Sequence, residues 1–79
     1  METITINKEI DARGSFCPGP LMALIGAVKA AQVGEVVAVL SADDGSKKDI
    51  PLWIAKARHE YLGAEPAAGA TRFVCRKLH

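Results

Sequence analysis

Cys17, followed by Pro18-Gly19-Pro20, is the residue of this 79-residue sequence best suited to covalent chemistry. The nucleophilic form of cysteine is the thiolate, and a free thiol of pKa about 8.5 becomes more acidic at a helix N-terminus. The residues after Cys17 predict such a terminus. A residue before proline is pushed out of the helical region, which suits Cys17 to the half-in position at a helix start. Pro18 then takes the first helical position, and Pro20 still falls within the first turn, where a missing N–H removes no helical bond. The free N–H groups of that turn and the positive end of the helix dipole favour an anionic sulfur, thiolate or persulfide. Gly19 keeps the approach to that sulfur open. No second cysteine stands two residues on, so a neighbouring thiol cannot resolve a mixed disulfide, and a group acquired by Cys17 has to be handed to another protein. The residues alone leave a second reading open, in which Cys17 is a small buried side chain and the prolines only punctuate a loop.

The apolar pattern predicts the elements that must position this segment. Thr3 to Asp11 alternate, with Ile4, Ile6 and Ile10 on one side, and read as a strand. From Pro18, Leu21, Leu24, Ile25, Val28 and Ala31 recur at helical spacing until Gly34. Glu35 to Ala42 contain the unbroken run Val36-Val37-Ala38-Val39-Leu40, the mark of a central strand covered on both faces. Residues 43–48 are polar and read as a loop, after which Asp49 caps a second helix with Pro51 in its first turn. Ile50, Trp53 or Ile54, Ala57, Tyr61 and Leu62 form the apolar stripe of that helix, and Gly63 ends it. A weak edge strand over residues 64–70 and a last strand over Thr71 to Leu78 complete the order, with Phe73 and Cys75 on one face and Arg72, Val74 and Arg76 on the other. The predicted fold is an α/β two-layer sandwich of β-α-β-α-β-β order. Two helices pack on one face of a mixed four-stranded sheet, in a single domain over residues 1–79.

Composition narrows the function. Ten basic and nine acidic side chains leave a net charge of +1, too little field to hold a nucleic-acid backbone or an anionic membrane. Residues 1–10 lack a secretory pattern and no apolar run approaches the ~20 residues of a membrane span, so a cytoplasmic setting is expected. There two separated cysteines remain thiols. Cys75 reads as packing. His59 and His79 are not at ligand spacing with a cysteine, and Asp43, Asp44 and Asp49 lack the pattern of a calcium loop, so neither a metal nor a cofactor is expected. Arg13, Lys47, Lys48, Arg72 and Arg76 are candidates for docking an acidic partner, against a default of scattered solvated charges.

The stretch from Asp11 to Pro20, Asp-Ala-Arg-Gly-Ser-Phe-Cys-Pro-Gly-Pro, resembles the N-terminal signature of the TusA/SirA-like proteins, in which an Asp, a Gly and Cys-Pro-x-Pro open the first helix. Ala42-Asp43-Asp44 with Asp49-Ile50-Pro51, and the strand Arg72 to Lys77, are similar to two further segments of that family. Ser15 stands where the family usually has an apolar residue, and Gly19 where a larger side chain is common. The resemblance implies the β-α-β-α-β-β sandwich. It also implies that Cys17 accepts sulfane sulfur as a persulfide from a cysteine desulfurase or rhodanese and delivers it to an acceptor protein, for tRNA thiolation, cofactor assembly or sulfur oxidation. A monomer that docks transiently is expected. Two alternatives stand beside this sulfurtransferase-type carrier: a non-catalytic regulatory or RNA/protein-binding module, and a thiol redox sensor.

Overall fold

The structure is a computed structural model and describes residues 5–15 and 19–79. Its elements are β1 (Lys8–Asp11), α1 (Gly19–Ala30), β2 (Val36–Ser41), α2 (Ser46–Lys56), β3 (Glu60–Ala67) and β4 (Ala70–Arg76). The strands form one open sheet of order β1-β2-β4-β3. β1 runs parallel to β2, while β4 is antiparallel to both β2 and β3. This is the β-α-β-α-β-β sandwich that the sequence predicts.

All six residues of β2 are buried, which is why that strand carries no polar alternation. Val37 and Val39 join Phe73 and Cys75 of β4 beneath Leu24, Ala27 and Val28 of α1 and Ile50 and Ile54 of α2, so both helices cover one face. On the other face Val36, Ala38 and Val74 form a small group covered by Ile6 and Leu62. Ile6 and Ile10 therefore serve opposite faces, against the single alternating strand expected from residue 3 onward. The regular pairing begins only at Lys8, and before it Asn7 uses its backbone N–H and its side-chain oxygen to bond Val36. The expected strand start at Thr3 and Ile4 lies outside the described residues.

The largest corrections concern α2. It begins at Ser46 rather than at Asp49, because the 43–46 turn already bonds Ser46 N–H to the Asp43 carbonyl and Lys47 N–H to that of Asp44. Gly45 takes the capping position without a side-chain bond, and Asp49 lies in the first turn beside the positive end of the dipole instead of capping it. Pro51 is thus inside the helix and leaves the exposed Lys47 carbonyl without its helical donor. The helix also ends earlier. Arg58 takes a left-handed φ of 61°, and Tyr61 and Leu62 belong to β3. Leu62 is the extra residue of a bulge between Tyr61 and Gly63, whose φ of 121° needs glycine. Pro66 is tolerated because β3 is an edge strand. Ala68 and Gly69, both at positive φ, close the β3–β4 hairpin.

Lys77 fastens the end of α1 by donating its Nζ to the carbonyls of Lys29 and Ala31, the latter at 2.8 Å. Within α1, Gly26 is exposed and a Cβ there would meet nothing within 4 Å. Gly26→Ala should therefore stabilise the protein by about 0.5–1 kcal/mol, read as a rise of several degrees in the melting temperature.

The C-terminal residues are held by two imidazoles. His59 Nδ1 accepts the Leu78 N–H at 3.2 Å, His79 Nε2 lies 3.0 Å from the Ala57 carbonyl, and the rings stack with centroids 4.8 Å apart. Burial, then the charges of His79 and Lys77, hold His59 below its usual pKa of 6.5. The folded state thus takes up this proton later than the unfolded chain, and protonated Nδ1 can no longer accept the bond. The contribution is complete above the unfolded-state pKa and is lost as the pH falls through the lower folded-state value. The midpoint of urea unfolding should drop between pH 7 and pH 5, and drop less in His59→Gln.

Candidate functional site

Because β1 and β2 are parallel, the segment leaving β1 and the loop leaving β2 emerge at one end of the sheet, with Asp11 opposite Leu40. The β3–β4 hairpin reaches the same end, since Thr71 pairs with Ser41. Residues 12–15, residues 42–45 and the turn at Ala68-Gly69 thus converge beyond the carboxyl ends of the parallel strands, where open α/β sheets commonly place their sites.

The start of the first of these segments is firmly held. Ala12 N–H extends the β1 ladder to the Leu40 carbonyl at 2.9 Å, and Ser15 N–H closes a turn on the Ala12 carbonyl at 3.1 Å. Arg13 grips Asp11 through two nitrogens, Nε at 2.8 Å and Nη2 at 2.7 Å, while its backbone N–H donates to the same carboxylate. Its Nη1 reaches the Ala68 carbonyl at 3.3 Å and links this turn to the β3–β4 hairpin. These hydrogen bonds hold the Asp11 carboxyl at about 2, so the clamp stays charged at any physiological pH. Across the loop, Gly19 and Pro20 open α1, and Pro20 is fully buried, so one residue both starts the helix and anchors it in the core. Cys17, the predicted nucleophile, and Pro18 lie outside the described residues.

The loop after β2 is held differently. Ser41 and Ser46 are both buried and their hydroxyls bond each other at 2.9 Å, while Ser41 Oγ also accepts the Asp43 N–H. This pair starts α2 early and sets Lys47 and Lys48 in its first turn. Among the described residues no buried side-chain polar atom lacks a partner.

The predicted docking residues do not form one cluster. Arg13, Lys47 and Lys48 belong to the converging loops and helix start. Arg72 stands on the helix-free face opposite Leu40, bonded to Glu9 of β1 and Glu65 of β3. Arg76 is at the other end of β4, opposite Val36, and pairs with Glu60 at 3.0 Å. Lys47 stands 3.6 Å from Asp44. Sequence reasoning missed the Asp11–Arg13–Ala68 clamp and the serine pair. The Asp-x-Arg spacing was the available signal for the first, whereas two serines five residues apart carry none for the second.

Cys75 is fully buried among the residues that support both helices, and burial, with a lesser push from Glu60, raises its thiol to about 11. It remains a protonated core residue at neutral pH. Among the described residues no three His, Cys, Asp or Glu side chains are grouped to hold a metal ion, and no helix is long and apolar enough to cross a membrane.

The fold is that of a small two-layer α/β domain whose Cys-Pro-Gly-Pro segment leads from β1 into α1. The chain belongs to the TusA family: the model described as Sulfurtransferase TusA matches residues 8–77. It is 52% identical over 69 residues to a putative sulfur carrier protein of Archaeoglobus fulgidus, covering 87% of this chain and 94% of that one. It is 31% identical over 77 residues to the sulfur carrier protein TusA of Pseudomonas syringae pv. syringae, and 35% over 77 residues to that of Pseudomonas entomophila. These two alignments each cover 98% of this chain, and 92% and 96% of the respective relatives.

Proposed function

We propose that this protein is a sulfur carrier that holds sulfane sulfur as a persulfide on Cys17 and passes it to an acceptor protein. The observation that carries this reading is the family match over residues 8–77, which includes Cys17 and reaches relatives named as sulfur carriers. The Cys17 thiolate attacks the terminal sulfur of a persulfide on the donor, a cysteine desulfurase or rhodanese. The donor's S–S bond breaks and its electron pair leaves with the donor thiolate. The acceptor's nucleophile then attacks the terminal sulfur on Cys17, which departs as thiolate, so each step is a redox-neutral displacement. A helix start with prolines favours the anion at both stages, and one carrier cysteine without a resolving neighbour suits a relay between proteins. The chemistry requires a reducing compartment such as the cytoplasm.

Docking falls to the basic residues nearest this end of the sheet, Arg13, Lys47, Lys48 and Arg72, with the protein acting as a monomer in transient complexes. Incubation with a cysteine desulfurase and cysteine, followed by intact-mass measurement, tests the proposal. The expected product is heavier by one sulfur atom, reverts on treatment with dithiothreitol and is discharged by an acceptor thiol. A mass that never changes contradicts it. A redox sensor would instead accumulate a sulfenic acid or glutathione adduct under mild oxidant, without preference for persulfide donors.

A further inference from the structure

Residues 77–79 tie together the carboxyl ends of both helices, at the end of the sheet where Arg76 pairs with Val36, away from the candidate site. Lys77 is held there by its backbone, which bonds Gly34 and Glu35, and by its Nζ, which reaches the carbonyls of Lys29 and Ala31 at the end of α1. None of these bonds involves a histidine. Beyond Lys77 the hold is different: among the described residues, every hydrogen bond and ring contact of Leu78 and His79 runs through an imidazole.

The bonding partners fix where the protons are. Leu78 offers an N–H, so His59 Nδ1 has to be bare and its ring neutral, with the proton on Nε2. The Ala57 carbonyl only accepts, so His79 Nε2 carries a proton, and that bond survives when the His79 ring is charged. The two rings therefore respond oppositely to acid. A proton on His59 Nδ1 would set one N–H against another across 3.2 Å and place a cation against the His79 ring, 4.8 Å away between centroids. The charges that bear on His59 are those of His79 and Lys77, and both oppose a further positive charge. Glu60, its neighbour in the chain, is engaged by Arg76 at 3.0 Å.

We infer that Leu78 and His79 form an acid-released strap hinged at Lys77: protonation of His59 detaches them from the end of α2 while the sheet and both helices stay folded. Release uncovers the His59 ring, with the Trp53 ring 6.0 Å from it. The cost of the proton falls on the strap because the backbone bonds of Lys77, which continue β4, are indifferent to it. The device is independent of the sulfur chemistry at Cys17.

Nitrogen-15 relaxation of the full chain at pH 7.5 and pH 5, with protonation of His59 followed by the shift of its ring protons, tests the strap. The Leu78 amide should have an order parameter near ~0.85 at pH 7.5 and below ~0.6 once His59 is protonated, while Phe73 and Ile54 stay near ~0.85. In His59→Asn, whose Oδ1 replaces Nδ1 as acceptor but does not titrate, Leu78 should stay ordered at both pH values. His79→Gln, which keeps a side-chain N–H for the Ala57 carbonyl, should still loosen at pH 5. A Leu78 amide that is already mobile at pH 7.5, that stays ordered with His59 protonated, or that loosens only together with Phe73 would overturn the inference. Loosening that persists in His59→Asn, or is lost in His79→Gln, would overturn it as well.

Discussion

Cys17→Ser should take up no sulfur from a persulfide donor, whereas Cys75→Ala should load as fully as the wild type. A serine hydroxyl does not ionise at neutral pH and its oxygen cannot form the S–S bond that holds sulfane sulfur, so the loss at position 17 is complete rather than partial. Cys75 offers no substitute. It is sealed between β4 and the two helices, and its thiol at about 11 stays protonated under any condition in which a donor works. Replacing it by alanine removes one buried sulfur and costs stability, on the order of 1 kcal/mol, but leaves the loading site untouched. Quantified by intact mass with equal donor, wild type and Cys75→Ala should each carry one extra sulfur and Cys17→Ser none. Sulfur retained on Cys17→Ser would place the carrier function elsewhere.

Phe73→Ala should be the most damaging core substitution, costing about 3–5 kcal/mol. Among the described residues Phe73 is the largest fully buried side chain, opposite Val39 of β2 and Ala64 of β3, and it lies in the cluster on which both helices rest. A domain of this length has a total stability of only about 4–12 kcal/mol, so the loss takes a large part of it. Leu52, on α2 and about half exposed, is the comparison: Leu52→Ala should change stability by no more than about 0.5 kcal/mol. Urea unfolding at pH 7 distinguishes them, and equal effects would mean that the helices do not rest on the β4 face as described.

The parts legible in the sequence were those whose pattern is set by local burial. Val36 to Leu40 read as a central strand because every position is covered, and Phe73 and Cys75 separated from Val74 because a two-residue period assigns faces directly. The boundaries of α2 were not legible, because distant contacts set them. Ser46 looks like loop sequence, but the backbone bonds of the 43–46 turn and its hydroxyl bond to Ser41 across the buried junction start the helix there. At the other end, Tyr61 and Leu62 continue the helical spacing of Ile50, Ile54 and Ala57, but Arg58 turns the chain through a left-handed conformation without the glycine that usually marks such a stop. Gly63, taken as that marker, serves the β3 bulge. At the candidate site, a helix with Pro20 in its first turn could be read in advance. The clamp of Arg13 on the hairpin carbonyl could not, because it joins residues 55 positions apart.

The acidity of the Cys17 thiol is the most direct test. Its alkylation rate in the wild-type protein, measured against pH at constant ionic strength, should reach half its maximum clearly below the ~8.5 of a free cysteine. A midpoint at or above that value, or a thiol that iodoacetamide modifies only after unfolding, would contradict an ionised, reachable sulfur at the start of α1.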